Sequence, residues 1–472
     1  METVLIKTLQ LLCCLSLLVV LHEGGHFGFS KLFGVKVEKF FMFFDYKFHL
    51  FSTKSKWFTR LFPHFKDNET EYGIGWIPLG GYVKIAGMID ESMDTEQMKK
   101  PAQPNEFRSK PVWQRFFIMF GGVLMNLITA WVIYSLVLLA WGRDYTPITS
   151  LEDGFQYNEQ AHSLGFQDGD IPIRADQKDI VEYSTAVMRT IANASTVTVL
   201  REGKEIELEM PGEGLSMIKM IQAQPPFLMP MAEAFIDSVV PGSPAQKAGI
   251  VPGMRLLSAG GKDIKTWADY DNEVTLRRQD VLSSPDCTAE DSLRWRSLTI
   301  VVATADLSRQ DTIALQLDKD YMMGVTRKLP KFKTVHLDYS LASCLPAGLS
   351  YGWRVLKNYV SDLRYVASAD GAKSVGSFIT IGNIFPSAWD WQQFWMLTAL
   401  ISIILAVMNI LPIPGLDGGH IVLLFYEGIT GHQPSDKAME WIEKIGIGII
   451  LALMILAMSN DIRNFILPIF GL

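Results

Sequence analysis

The sequence predicts a polytopic α-helical membrane protein of four transmembrane helices that carries, outside the membrane, two copies of a small mixed α/β domain. Three observations predict this class. Hydrophobic residues make up 49% of 472 positions, and a mean hydropathy of +0.17 is too high for an ordinary soluble chain and too low for one lying wholly in the bilayer. Four apolar runs, Val4–Phe29, Phe116–Trp141, Phe394–Leu411 and Ile442–Phe465, approach the ~20 residues that a membrane-crossing helix needs. Between the second and third runs lies a long polar segment with an internal echo.

The first run has no basic leader and no small-residue cleavage site, so it reads as a retained helix rather than a signal peptide. Cys13 and Cys14 within it are helix-packing residues. The following loop carries Lys31, Lys36, Lys39, Lys54, Lys56, Arg60, Lys66, Lys110 and Arg115, and the excess of positive charge near membrane ends puts it in the cytoplasm. Both termini and the segment from Arg143 to Asp390 then lie outside. The expected divisions are 1–142 (two spans and a cytoplasmic loop), 143–222 and 223–335 (the repeated domain), 336–392 (an amphipathic surface segment) and 393–472 (two spans). A net charge of -7 provides no basic face, which excludes nucleic acid as a partner.

In the outer segment, Ala161-His162-Ser163-Leu164-Gly165-Phe166-Gln167-Asp168-Gly169-Asp170 aligns with Ala245-Gln246-Lys247-Ala248-Gly249-Ile250-Val251-Pro252-Gly253-Met254. In each, a short helix ends at a glycine able to take φ > 0 and a second glycine turns the chain into a strand. Pro241-Gly242-Ser243-Pro244-Ala245 followed by Ala248-Gly249-Ile250 resembles PDZ domains. Such a pair serves either as peptide-binding modules or as a steric gate. The stretch Val281–Arg296 is a polar insertion in the second copy, and whether Cys287 pairs with Cys344 is open. Further on, Leu349, Trp353, Leu356, Val360 and Leu363 recur at helical spacing, as expected of an amphipathic helix on the membrane surface or of a core helix. Trp389, Trp391 and Trp395 before the third span form an interfacial anchor that favours the surface reading.

Chemistry concentrates at the end of the first run, in His22-Glu23-Gly24-Gly25-His26. Residues four apart share a helix face, so His22 and His26 can ligate one Zn²⁺ while Glu23 acts as base for its water. Placement in an apolar segment demands a functional reason for these groups. A catalytic zinc site takes three protein ligands, and the third candidate is Asp417 in Asn409-Ile410-Leu411-Pro412-Ile413-Pro414-Gly415-Leu416-Asp417-Gly418-Gly419-His420. The plainer reading of Asp417 is a helix cap, and His420 is either an alternate ligand or a bystander. Pro412 and Pro414 prevent continuous helix there, leaving backbone groups to be satisfied by protein, water or an incoming peptide. An inactive scaffold predicts loss of Glu23 or a ligand, yet all are present. A cation transporter wants polar groups through several spans, and the second span is nearly devoid of them.

These motifs together resemble the site-2 protease family of intramembrane zinc metalloproteases, and the tandem PDZ-like pair resembles its bacterial regulator-of-sigma-E protease branch. The resemblance covers nearly the whole chain. It implies zinc on His22, His26 and Asp417, Glu23 as catalytic acid/base, and Asn409, Pro412 and Pro414 as holders of an extended substrate. Glu71–Lys84, with Gly73 and Gly75, is similar to the family's membrane-associated β-loop, expected to add the substrate as a strand. The resemblance further implies a bacterial inner-membrane enzyme with its PDZ-like domains on the periplasmic side. Its implied partners are the lipid bilayer and single-span membrane proteins, anti-sigma factors and remnant signal peptides, with selection by substrate size and helix stability. Two departures stand out: Phe40-Phe41-Met42-Phe43-Phe44-Asp45 replaces a Gly-Phe-Gly-Pro-like turn, and Val123 replaces a proline after Gly121-Gly122.

Overall fold

The computed structural model describes residues 2–65, 67–78, 80–88, 101–151, 153–184, 186–211, 220, 223, 226–282, 289–304, 306–328, 330, 332–366, 376–463 and 467. The chain divides into two compact units, one of residues 1–143 with 338–472 and one of residues 144–337.

The first unit begins with α1 (Glu2–Leu32), then β1 (Val37–Met42), β2 (Phe51–Ser52), α2 (Lys56–Leu61), β3 (Glu71–Ile74), β4 (Tyr82–Ile85) and α3 (Val112–Trp141). Among the described residues four helices are long and apolar enough to cross a membrane: Thr3–Leu32, Val112–Trp141, Trp391–Ile410 and Lys437–Asp461. They coincide with the four apolar runs, except that the last begins earlier and ends at Asp461. The chain is thus a polytopic membrane protein with β-containing regions.

Close approach of α1 to α3 rests on glycine. A Cβ at Gly25 would strike the Gly121 carbonyl, and one at Gly121 would strike Gly25 and the Phe29 ring. Small residues let helices meet where burying apolar surface gives no driving force, because lipid is as apolar as leucine. The loop after α1 forms a four-stranded sheet in the order β2-β3-β1-β4, with β1 parallel to β3 and antiparallel to β4. Val35, Val37, Val83 and Ile85 of this region pack on Ile118 and Met119 of α3. Phe41 is fully buried, so the aromatic run that replaces the expected turn supplies sheet core.

The second unit runs through β5 (Arg143–Tyr145), β6 (Phe155–Tyr157), α4 (Glu159–Ser163), β7 (Ile171–Ala175), β8 (Lys178–Asp179), α5 (Ala186–Ala192), β9 (Thr196–Arg201), β10 (Lys204–Glu209), β11 (Leu228–Pro230), β12 (Ile236–Val239), α6 (Pro244–Lys247), β13 (Arg255–Ala259), β14 (Lys262–Asp263), α7 (Trp267–Leu282), α8 (Ala289–Arg296), β15 (Ser297–Ala303), β16 (Gln310–Gln316), β17 (Val325–Arg327) and β18 (Val335–Leu337). Its two principal sheets have the orders β10-β9-β7-β8 and β16-β15-β13-β14. In both, a capped short helix (Asn158 on Ala161 N, Ser243 on Gln246 N) leads to two positive-φ glycines, Gly165 and Gly169 or Gly249 and Gly253, before the strand. Of the polar insertion, Pro285, Asp286 and Cys287 lie outside the described residues, and Cys344 is a free, buried thiol.

The chain returns to the first unit with α9 (Leu341–Val366), α10 (Phe378–Ile384), α11 (Trp391–Ile410), α12 (Asp417–Thr430) and α13 (Asp436–Asp461). The amphipathic α9 packs Tyr351, Val355, Leu356, Tyr359 and Leu363 against Ala130, Tyr134 and Val137 of α3 and Ala399 and Ile403 of α11. Leu349, Trp353 and Val360 stay exposed, so the apolar stripe of the sequence divides between two faces. Asp461 ends α13 by accepting from Ser377 N and Oγ and from Thr380 N and Oγ1, capping α10.

Asp170, fully buried, accepts from Arg201 Nε and Nη2 at 2.7 Å each. Removing one member of a buried pair strands the other charge, and the partial exposure of Arg201 puts the cost below the roughly 3–5 kcal/mol of a wholly buried pair, at about 2 kcal/mol. Asp170→Ala should therefore speed amide exchange across 155–201 roughly thirtyfold, read by hydrogen–deuterium exchange, while the sheet at 255–316 keeps its native rates.

Candidate metal centre

His22 and His26 stand one turn apart on α1, and Asp417 is the first residue of α12. The local sequence explains how Asp417 arrives. Pro412 and Pro414 cannot continue a helix; α11 stops at Ile410, Leu411 is extended, and Gly415 takes φ +83°. Gly418 and Gly419 then let the first turn of α12 lie on the carbonyls of Ile410, Leu411 and Ile413, and Gly446 of α13 closes on Pro414. Any side chain at these glycines would push the aspartate outward.

The donor atoms form a nearly equilateral triangle. His22 Nε2 and His26 Nε2 are each 3.4 Å from Asp417 Oδ2 and 3.4 Å from one another. Tetrahedral ligands at zinc distances of about 2.1 Å are themselves roughly 3.4 Å apart. Asp417 Oδ2 is buried and has no hydrogen-bond partner among the described residues, and a buried carboxylate oxygen left so calls for a cation. The three residues therefore fit zinc, with one coordination position left over.

Groups from α3 hold the rings. Nδ1 of His26 lies 2.8 Å from the Ile118 carbonyl, which fixes the proton on Nδ1 and turns the Nε2 lone pair toward the triangle. Gly122 lies against both imidazoles, where a Cβ would collide with His26 Nε2 and His22 Cε1. Asn126 reaches His22 Nδ1 at 3.2 Å, and the Asn409 amide lies 3.3 Å from His22 Nε2.

A cavity of about 720 Å³ opens over the triangle, lined by His22, Glu23, His26, Asn409 and Asp417 and by β4 from Tyr82 to Ile85. Among the described residues β4 pairs with β1 and stands at the edge of the sheet, the position at which strand addition occurs. Gly81 precedes it, and a Cβ there would strike Val19 Cγ1 and stand 3.6 Å from Glu23 Cγ, so the glycine brings the strand close to the glutamate.

The structure thus brings His22, Glu23, His26, Asn409 and Asp417 together. It does not bring Gly73 and Gly75 there: Gly73 lies in β3, paired with Phe41 on one side and Ser52 on the other, and both glycines make room for Phe41 and Phe44. Pro412 and Pro414 shape the turn but do not line the cavity. His420 lies in the cavity wall 3.8 Å from Glu443, outside the donor triangle. The resemblance read in the sequence extends through Phe107-Arg108-Ser109-Lys110-Pro111 to Gly121-Gly122 and Asn126 of the second span but attaches no role to them, and the Ile118 carbonyl was missed; the spacing of four along one helix was the available signal.

A profile of peptidase family M50 matches residues 10–453. Among relatives, a Neisseria meningitidis protein described as a zinc metalloprotease is 26% identical over 95% of this chain and 97% of its own length. Protease RseP of Yersinia pestis is 27% identical over 98% of this chain and 99% of its own. Regulator of sigma-E protease RseP of Salmonella typhimurium is 25% identical over the same shares.

The glycine contact yields a prediction. Gly122→Val should displace both imidazoles and weaken zinc binding at least a hundredfold, read as metal content after dialysis against a chelator of known affinity. Gly28→Val on the open side of α1, where no atom lies within 4 Å of a Cβ, should retain full metal content.

Proposed function

The chain belongs to peptidase family M50, an intramembrane zinc metalloprotease, and from that premise we propose that His22, His26 and Asp417 hold its metal while Glu23 moves the proton of hydrolysis. The observation that carries this reading is the triangle of donor atoms 3.4 Å on a side with a glutamate of the same helix in the same cavity. Zinc, when bound there, supplies a Lewis acid and a water acidic enough to give up a proton near neutral pH.

The chain's own residues do the remainder. Glu23 accepts the water proton and returns it to the nitrogen of the leaving amine as the peptide bond breaks. Asn409, beside the triangle, donates its amide N–H to the substrate carbonyl and so favours the oxyanion over the flat ground state. Edge strand β4 binds the substrate backbone as an added strand, which lays a scissile amide across the donor triangle and asks little of its side chains. A transmembrane substrate must first lose helix locally, since its N–H and C=O groups cannot serve both its own helix and β4.

We further propose the bacterial inner membrane as its location, with the repeated unit of residues 144–337 outside and built of two PDZ-like domains. The substrates are single-span proteins already shortened outside, of the anti-sigma factor and remnant signal-peptide kind. Two things support this: the similarity over almost full length to a protein named regulator of sigma-E protease, and the shared strand order of the two sheets. On this reading the unit excludes large ectodomains from the cavity.

Two outcomes are expected. With purified protein and a single-span reporter, Glu23→Gln should keep its zinc and lose about a thousandfold in cleavage rate, while a chelator abolishes cleavage by the native protein; product formation unchanged in Glu23→Gln would refute the assignment. Deleting 144–337 should let reporters with intact ectodomains be cut at the rate of shortened ones, and a preserved preference for short ones would rule out size exclusion.

A further inference from the structure

We infer that Asn126 of α3 is a positioning residue that sets which ring nitrogen His22 presents to the metal. The inference rests on the ligand assignment above. His22 Nε2 faces His26 Nε2 and Asp417 Oδ2 at 3.4 Å each, so Nε2 must offer a lone pair. In a neutral imidazole the proton then sits on Nδ1. Nδ1 faces the Asn126 side chain at 3.2 Å, with the amide nitrogen as the nearer atom. An NH₂ facing an N–H opposes two donors. Asn126 Oδ1 meanwhile is buried without a hydrogen-bond partner among the described residues.

The two ends of a carboxamide have the same shape, and their assignment follows from the hydrogen bonds they can make. Turning the amide over places Oδ1 on the His22 Nδ1–H, removes the donor conflict and gives the buried oxygen its partner. Asn126 is fixed where it must be: it is fully buried, and its main-chain carbonyl accepts from Ser402 Oγ of α11 at 2.7 Å.

The neighbouring positions carry the same logic. Ile118, Gly122 and Asn126 follow at intervals of four and so lie along one face of α3. Ile118 offers a carbonyl to His26 Nδ1, Gly122 leaves the space both rings occupy and sets its own backbone beside His22, and Asn126, once its amide is turned over, offers an oxygen to His22 Nδ1. One stripe of the second span thereby sets the tautomer of both ligands on the first.

The test is zinc affinity of the full-length detergent-solubilised protein, by competition with a chelator, for native, Asn126→Asp, Asn126→Leu and His22→Ala chains. Cobalt substitution gives a ligand-field spectrum as a second readout. Asn126→Asp keeps an acceptor and should bind within a few-fold of native with the native cobalt spectrum; Asn126→Leu should bind ten- to a hundredfold more weakly. Native affinity in Asn126→Leu, or equal losses in both variants, overturns the positioning role, because packing alone does not distinguish an acceptor from its absence in this way. Native affinity in His22→Ala overturns the ligand assignment itself. Loss in His22→Ala with no loss in Asn126→Leu removes only the role of Asn126.

Discussion

The contact between Gly25 and Gly121 is the constraint on which the rest of the membrane unit depends. Two backbones meet there with no side chain between them, and only at that spacing can α3 reach the far side of the histidine rings. A ligand set inside an apolar slab cannot rely on water to orient or neutralise it. Each imidazole must therefore be met on its outer nitrogen by protein, and α3 is the element close enough to do so. Asp417 is placed by the same device in another spot: Gly418, Gly419 and Gly446 let α12 and α13 close on the proline turn.

Much of this was legible in the sequence, and the reasons differ by residue. The four spans were readable because twenty apolar residues have few other uses. His22, Glu23 and His26 were readable because helical geometry ties a spacing of four to one face. Asp417 was legible only through its surroundings, the two prolines that end one helix and the glycines that start the next. What stayed hidden depends on contacts between segments distant in the chain. Gly73 and Gly75 have the composition of a substrate strand, yet pairing put β3 inside the sheet and β4 at its edge, and edge or interior is a matter of strand order that no local pattern encodes. The stripe through Leu349, Trp353 and Val360 likewise promised a single apolar face. In the structure α9 has two, because Tyr351, Val355 and Tyr359 are taken up by α3 and α11.

The unit of residues 144–337 is governed by different physics. Its sheets are small, and each is covered by helices short enough to need side-chain caps from Asn158 or Ser243. The first copy adds a buried ion pair, Asp170 with Arg201, where the second has Met254 at the aligned position and an apolar core through Ile236, Leu256, Ile300 and Val302. The aligned position thus carries a buried charge in one half and an apolar side chain in the other, while both halves keep apolar cores and the second buries its own paired carboxylate, Glu273 with Arg277 and Lys262.

The stripe of Ile118, Gly122 and Asn126 bears on how such proteins are sorted into active and inactive kinds. The pentapeptide on the first span names atoms able to hold an ion but says nothing of whether room exists for them. A descendant that kept all five letters and gained a single methyl group at position 122 would pass as an enzyme on paper while lacking the space for its imidazoles. Degenerate copies of this architecture are accordingly better sought by reading positions 122 and 126 of the second span than by rereading the first.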